Sequence, residues 1–202
     1  MSIVLTTPIR EEDIASLRIG DVIYLDGIVA TCRDSGHSRL VEEGIRPALN
    51  LEGGAIFHAG PIVRSRPDGN YEIVSVGPTT SMRMEQTEAD FLRLTGVKLL
   101  IGKGGMGDKT VEACQKYKAI HTVIPGGCAV TEAAMVEEVL GVEWLDLGMP
   151  EAFWIARVRH FGPLVVSIDT QGGNLFRDRR QEIDANRQTV AGQIKPLVHY
   201  MK

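Results

Sequence analysis

The chain has 202 residues, 44% of them hydrophobic and 24% charged, with 22 glycines, 9 prolines and no biased tract. This supplies a core and excludes disordered and collagen-like classes. A formal net charge of −4 provides no positive field for a polyanion, so nucleic acid is not an expected partner.

No apolar run reaches the roughly 18 residues of a membrane span, and the N-terminus lacks a basic and then apolar leader. Cys32, Cys114 and Cys128 are odd in number and widely spaced, which suits reduced thiols. A cytoplasmic chain without membrane association is expected.

In chain order, the apolar stretches 21–25 and 28–32 flank Asp26-Gly27, the dipeptide that favours a tight turn, and predict a hairpin. Asp34 is placed to cap a helix running to Glu43, with Gly44 at its left-handed end. A second hairpin is predicted from strands 55–63 and 71–76, joined by a Pro-Asp-Gly turn. A helix over 85–94 ends at Gly96, and the apolar run 97–101 reads as a buried strand. From there strand and helix alternate: helix 108–118, strand 121–124, helix 131–140 and strand 142–147. Residues 154–158 and 164–169 predict two further strands around Gly162-Pro163, and 186–198 a terminal helix interrupted by Pro196. The fold class is therefore α/β, a mixed sheet in a single domain over 1–202, β-rich first and built of βα units later.

Three loops combine glycine or proline punctuation with a residue suited to anions. Arg33 follows a predicted strand and opens a helix, where backbone N–H groups and the helix dipole favour negative charge. The plainer reading is a surface pair with Asp34 or another nearby acid. In Gly77-Pro78-Thr79-Thr80-Ser81-Met82-Arg83-Met84, Thr79 and Arg83 share a helical face, although capping alone also accounts for the threonines. Gly102-Lys103-Gly104-Gly105-Met106-Gly107 fits the dinucleotide spacing G-x-G-x-x-G. The ribose-binding acid is missing from the end of the next strand, which runs into Ile124-Pro125-Gly126-Gly127. It is not a phosphate-binding P-loop either, since Gly104 follows Lys103. A nucleotide-binding module stays open as an alternative. Three cations on convergent loops suit a small dicarboxylate better, with Thr79 near its carbon skeleton.

The motifs Arg33-Asp34-x-x-His37, Phe57-His58-Ala59-Gly60-Pro61, Gly77-Pro78-Thr79-Thr80-x-x-Arg83-Met84, Gly102-Lys103-Gly104-Gly105-Met106, Leu147-Gly148-Met149-Pro150-Glu151 and Phe161-Gly162-Pro163-Leu164 resemble, in that order, the β subunit of the class I fumarase and L(+)-tartrate dehydratase family. The match runs over residues 3–176, leaving 177–202 as a helical extension. Thr31-Cys32-Arg33-Asp34, Ser81-Met82 and Gly126-Gly127-Cys128-Ala129-Val130 are closer to the tartrate dehydratase branch. The resemblance implies a swivelling β/β/α domain and a hydro-lyase that converts L(+)-tartrate to oxaloacetate, or interconverts malate and fumarate. It also implies a [4Fe-4S] cluster carried by a separate α subunit, in a heterodimer or heterotetramer, and no metal ligand in this chain. By position, Thr79 matches the threonine of proton transfer, and Arg33, Arg83 and Lys103 match the carboxylate ligands. His37, Thr80 and Gly104 fall around them. An isolated chain with its partner face uncovered is expected to be capable of forming a homodimer. A purely structural partner of a complete α chain is a third possibility.

Overall fold

Short apolar segments such as Leu99–Gly102 are buried along their whole length, as strands covered on both faces must be. In the computed structural model, which describes residues 3–195, the strands are β1 (Ile3–Thr6), β2 (Val22–Thr31), β3 (Ala55–Phe57), β4 (Ile62–Ser65), β5 (Tyr71–Ser75), β6 (Leu99–Gly102), β7 (Ile120–Val123), β8 (Val136–Glu143) and β9 (Phe153–Ile168). The helices are α1 (Glu11–Ile14), α2 (Asp34–Val41), α3 (Glu88–Thr95), α4 (Asp108–Tyr117), α5 (Ala129–Ala133) and α6 (Leu175–Ile194). A 3-10 turn covers Ser81–Met84.

β1, β2, β3, β6 and β7 lie side by side and parallel. β9 is antiparallel to both β7 and β2, so pairing passes through β2, β3, β6, β7 and β9 and returns to β2. β8 adds to β9, and β4 pairs with β5 apart from this sheet. Alternation along β3 and β6 sends Phe57, Leu99 and Ile101 into one core with Leu25, Phe161 and Leu164. Ile56 and Leu100 face a second core with Phe91, Leu92, Val111 and Cys114 of α3 and α4. The expected mixed α/β architecture is what forms. No helix among the described residues is long and apolar enough to cross a membrane.

Several expected boundaries differ. Asp26-Gly27 does not turn the chain: β2 runs straight through it as a bulge. Gly27 adopts φ +102°, the Asp26 carbonyl accepts from the Thr7 N–H (3.1 Å), and Thr7 Oγ1 accepts from the Ile28 N–H (2.5 Å). The positive φ thus serves a shift in the β2–β9 register rather than a hairpin.

The expected strand 55–63 divides into β3 in the main sheet and β4 in the predicted hairpin with β5. Residues 131–140 form only the end of α5 before β8 begins, and β8 replaces the strand expected over 142–147. Pairing with β9 along Val136–Glu143 outweighs the local helical pattern. The two strands expected around Gly162-Pro163 are one continuous β9, which bridges β2, β7 and β8. Asp34 is the first residue of α2 rather than its cap, which is Arg33. The terminal helix starts at Leu175, capped by Asn174 Oδ1 accepting from the Arg177 N–H at 3.2 Å; Pro196 and Val198 lie outside the described residues.

Candidate active site

Because β2, β3 and β6 are parallel neighbours, their carboxyl ends open side by side, which is where open α/β sheets place ligands. Ladder bonds continue just past them, from the Cys32 N–H to the Phe57 carbonyl (3.0 Å) and from the His58 N–H to the Ile101 carbonyl (2.8 Å). The segment after β5 is sewn onto these ends. The Thr79 N–H donates to the His58 carbonyl (2.6 Å), the Lys103 N–H to the Thr79 carbonyl (3.2 Å), and the Ser81 N–H to the Lys103 carbonyl (3.0 Å). Thr79, Thr80 and Lys103 are thereby joined through the backbone, with Thr80 and Lys103 in a parallel bridge.

Arg83 sits on the 3-10 turn that follows. Its Nη1 donates to Thr79 Oγ1 (3.4 Å), while Nε and Nη2 grip Asp34 at 3.0 and 2.7 Å. Arg33 Nη2 lies 3.2 Å from Glu151 Oε1, and Glu151 Oε2 accepts from the Ser35 N–H (3.1 Å) in the first turn of α2. The Arg33 guanidinium crosses Gly60, where a Cβ would collide with Nη1 and sit 2.6 Å from the Pro150 carbonyl oxygen. Lys103 extends along Gly126, where a Cβ would be 3.6 Å from its Cδ and 3.8 Å from its Nζ. It has no carboxylate partner among the described residues.

The predicted cluster of Thr79, Thr80, Arg83 and Lys103 is therefore brought together, and Arg33 joins it through α2, where its neighbour Asp34 holds Arg83. Both arginines carry acid partners, as the plainer reading of Arg33 allowed, though its partner is Glu151. His37 faces the interior instead, fully buried, with Nδ1 against the Arg33 carbonyl (3.0 Å). Gly104 is exposed at φ +73° with nothing within 4 Å of a would-be Cβ. Sequence reasoning missed the roles of Asp34 and Glu151 as holders of the two guanidiniums. Only the motifs containing these acids pointed at them.

The glycine loop has an occupant of its own. Glu85 Oε2 accepts from the Gly107 N–H (2.7 Å) and from Thr110 Oγ1 (2.6 Å), and Oε1 from the Thr110 N–H (3.3 Å). This carboxylate fills the α4 N-terminus, where a phosphate would have to bind.

Thr79, Arg83 and Lys103 stand at an open surface, Arg83 with half its side chain exposed. A groove of about 510 Å³, lined in part by Arg66, Tyr71, Glu137 and Arg157, lies elsewhere. The cysteines lie at three different elements. Cys32 ends up buried after β2, Cys114 is buried in α4, and Cys128 is exposed before α5. Burial pushes the Cys114 thiol well up, away from the thiolate a metal needs.

Beside Gly77, Glu132 of α5 is buried with neither carboxylate oxygen partnered, and burial pushes its pKa from 4.5 up to about 7. A carboxyl raised by folding contributes stability below its unfolded value and loses it as pH climbs through the folded one. Glu132→Gln should therefore match the parent near pH 4 and exceed it by roughly 1–2 kcal/mol at pH 8, after allowance for solvent screening. Thermal unfolding at both pH values measures this; equal stability at pH 8 would contradict it.

A family model described as Fumarase C-terminus matches residues 1–179. The L(+)-tartrate dehydratase subunit beta of Escherichia coli strain K12 is 54% identical over 202 residues, covering all of both chains. That of Shigella boydii serotype 4 is 53% identical, also over the full length of both. A protein of Geobacillus stearothermophilus, provisionally named a class I fumarate hydratase, is 39% identical over 176 residues, which are 87% of this chain and 34% of that longer one.

Proposed function

As the chain belongs to the fumarase C-terminus family and is a hydro-lyase subunit, we propose that it binds a hydroxy-dicarboxylate and manages a proton in its dehydration, with L(+)-tartrate, converted to oxaloacetate and water, as substrate. The observation that carries this is the backbone register tying Thr79 to Lys103 while Arg83 reaches Thr79 Oγ1. It supports a reading in which a hydroxyl beside the Arg83 guanidinium and the ammonium of Lys103 serve one substrate at a surface that a second subunit covers.

Arg33, Arg83 and Lys103 take the substrate carboxylates and stabilise the charge that builds on one of them as the adjacent C–H proton leaves. Thr79 Oγ1 stands at that proton. A threonine hydroxyl is a weak base alone, so an acidic group of the α subunit completes the relay. The α subunit also supplies the [4Fe-4S] cluster, whose chemistry is to polarise the departing hydroxyl. The absence of a close Cys-x-x-Cys pair in this sequence fits a cluster held by the partner. Thr80, Gly104 and, from below, His37 surround these groups. The chain works in the cytoplasm as one domain, in a heterodimer or heterotetramer.

Anaerobic reconstitution of the αβ pair, followed by assay on L(+)-tartrate, malate and fumarate, tests the substrate. We expect kcat/KM for tartrate to exceed that for malate or fumarate at least tenfold, an order of discrimination that a single hydroxyl contact supplies. The reverse ranking would move the assignment to fumarate hydratase, the reading favoured by the Geobacillus stearothermophilus relative's name. Calorimetry with NAD and ATP on the full chain should register no binding, because Glu85 already occupies the α4 N-terminus. Tight nucleotide binding would displace the proposal.

A further inference from the structure

Beneath the site loops, His37, Glu88, His58, Ser81, His121 and Ser167 form a row of side chains in which none is more than 1% exposed. The direction of its hydrogen bonds follows from the groups that can only accept. At one end His37 Nδ1 must donate to the Arg33 carbonyl (3.0 Å). At the other, Ser167 Oγ lies 2.5 Å from His121 Nδ1 and 3.1 Å from the His121 carbonyl, and its single proton can serve either. Burial, with His58 nearby, pulls the His121 pKa down to about 3, so this ring carries a single proton. Ser81 Oγ lies 3.0 Å from both His121 Nε2 and His58 Nδ1 and relays whichever direction the ends of the row impose.

His37 and His58 both turn Nε2 toward the same oxygen, Glu88 Oε2, at 3.6 and 3.4 Å. Neither Nε2 nor either Glu88 oxygen has another partner. A bare Nε2 would oppose its lone pair to the carboxylate, so each contact attracts only when that Nε2 carries a proton. On His37 this is a second proton, since its Nδ1 proton goes to the Arg33 carbonyl. On His58 it is the single proton of a ring whose Nδ1 accepts from Ser81, which accepts from His121 Nε2–H while His121 Nδ1 accepts from Ser167. Burial disfavours charge on Glu88, yet His58 and His37 hold its carboxyl well below the usual range. Burial likewise disfavours charge on His37, and Cys32 and Glu88 together hold it well above its ordinary value. The remaining groups nearby are His121 of β7 and Cys114 of α4, the latter also facing Glu85 and Asp169. Glu88 is also the first residue of α3, where the helix dipole favours an anion.

We propose that this row is a positioning device, a carboxylate clamped between two histidines that fixes the separation of the Arg33 loop from the Thr79 and Lys103 loops. His37 holds the Arg33 carbonyl, the His58 carbonyl holds the Thr79 N–H, and the Ser81 N–H holds the Lys103 carbonyl. Gly102 is part of the device, since a Cβ there would strike Ser81 Oγ. None of the row touches substrate. Its role rests on the reading of Arg33, Thr79 and Lys103 as the substrate site.

Nitrogen-15 NMR of the imidazoles in the full chain tests the row directly. His37 is expected to be doubly protonated at neutral pH, and His58 and His121 each to carry a proton on Nε2. In Glu88→Gln the second proton on His37 should be lost. Binding of one equivalent of zinc at these residues, or a bare Nε2 on His37 or His58, would overturn the assignment. In the αβ assembly, Glu88→Gln and the smaller change Ser81→Ala should each lower kcat/KM about 100-fold, the effect of misplacing reacting groups by about 1 Å. Glu88→Asp should recover part of that loss. Normal kcat/KM in both variants, with activity lost in Arg83→Ala and Lys103→Ala, would leave the substrate site standing and end the positioning role. Intact activity in Arg83→Ala and Lys103→Ala would end the substrate-site reading, and the positioning role with it.

Discussion

Thr79→Ala is expected to lower kcat of the assembled enzyme by about 10³-fold, within the range a positioned acid–base group contributes, while the substrate dissociation constant changes only a few-fold. The two bonds that seat this residue, to the His58 carbonyl and from the Lys103 N–H, are both made by its backbone, and alanine keeps them. Arg83 loses one long contact (3.4 Å) but retains its two-pronged grip on Asp34, so the cation stays where it is. The substitution therefore removes the hydroxyl and little else. Thr79→Ser, which keeps the hydroxyl and frees its rotamer, should lose less than tenfold. Steady-state rates with substrate calorimetry on the same preparations separate the two quantities. A Thr79→Ala enzyme turning over at near-normal rate would refute the role.

The parts of the molecule legible in the sequence are those whose signals are local. Leu99–Gly102 and Asp108–Tyr117 follow from an apolar run and a helical period, and Gly96 ends α3 at φ +70° as a left-handed C-terminal residue should. Where a signal has two physical uses, the sheet decides. Positive φ at Gly27 serves a bulge as readily as a turn, and a strand bonded on both edges leaves no freedom to fold back. Val136–Glu143 likewise forms a strand because β9 offers it an unpaired edge.

The same division holds at the site. Arg33, Arg83 and Lys103 announce themselves as cations on glycine-punctuated loops after strands. What holds them does not, because Asp34 meets Arg83 across 49 residues of sequence and Glu151 meets the Ser35 N–H across 116. His37, His58, Glu88 and His121 are individually ordinary buried positions. Their alignment exists only once α2, β3, α3 and β7 are packed together.

In the assembled enzyme, where a second subunit covers the site, Lys103→Ala should raise KM for a dicarboxylate by roughly 10²–10³-fold, the loss expected when one partner of a desolvated, hydrogen-bonded charge pair is truncated. The reason lies in the charges around the site. Arg83 is neutralised in part by Asp34 and Arg33 by Glu151, so three cations leave a net of one positive charge for the substrate. Lys103 brings its charge without a resident acid. Arg83→Ala acts differently, because it removes a cation and also strips Asp34 of its partner, turning that carboxylate against the substrate. Adding Asp34→Asn to Arg83→Ala should therefore recover part of the lost affinity, whereas adding it to Lys103→Ala lets Arg83 reorient without supplying the missing ammonium, and recovers little. KM values for the four variants at two ionic strengths read out this asymmetry, with weaker salt dependence wherever Lys103 is absent. An unchanged KM in Lys103→Ala, or equal recovery in both double variants, would show that the substrate's charge is met by residues other than these.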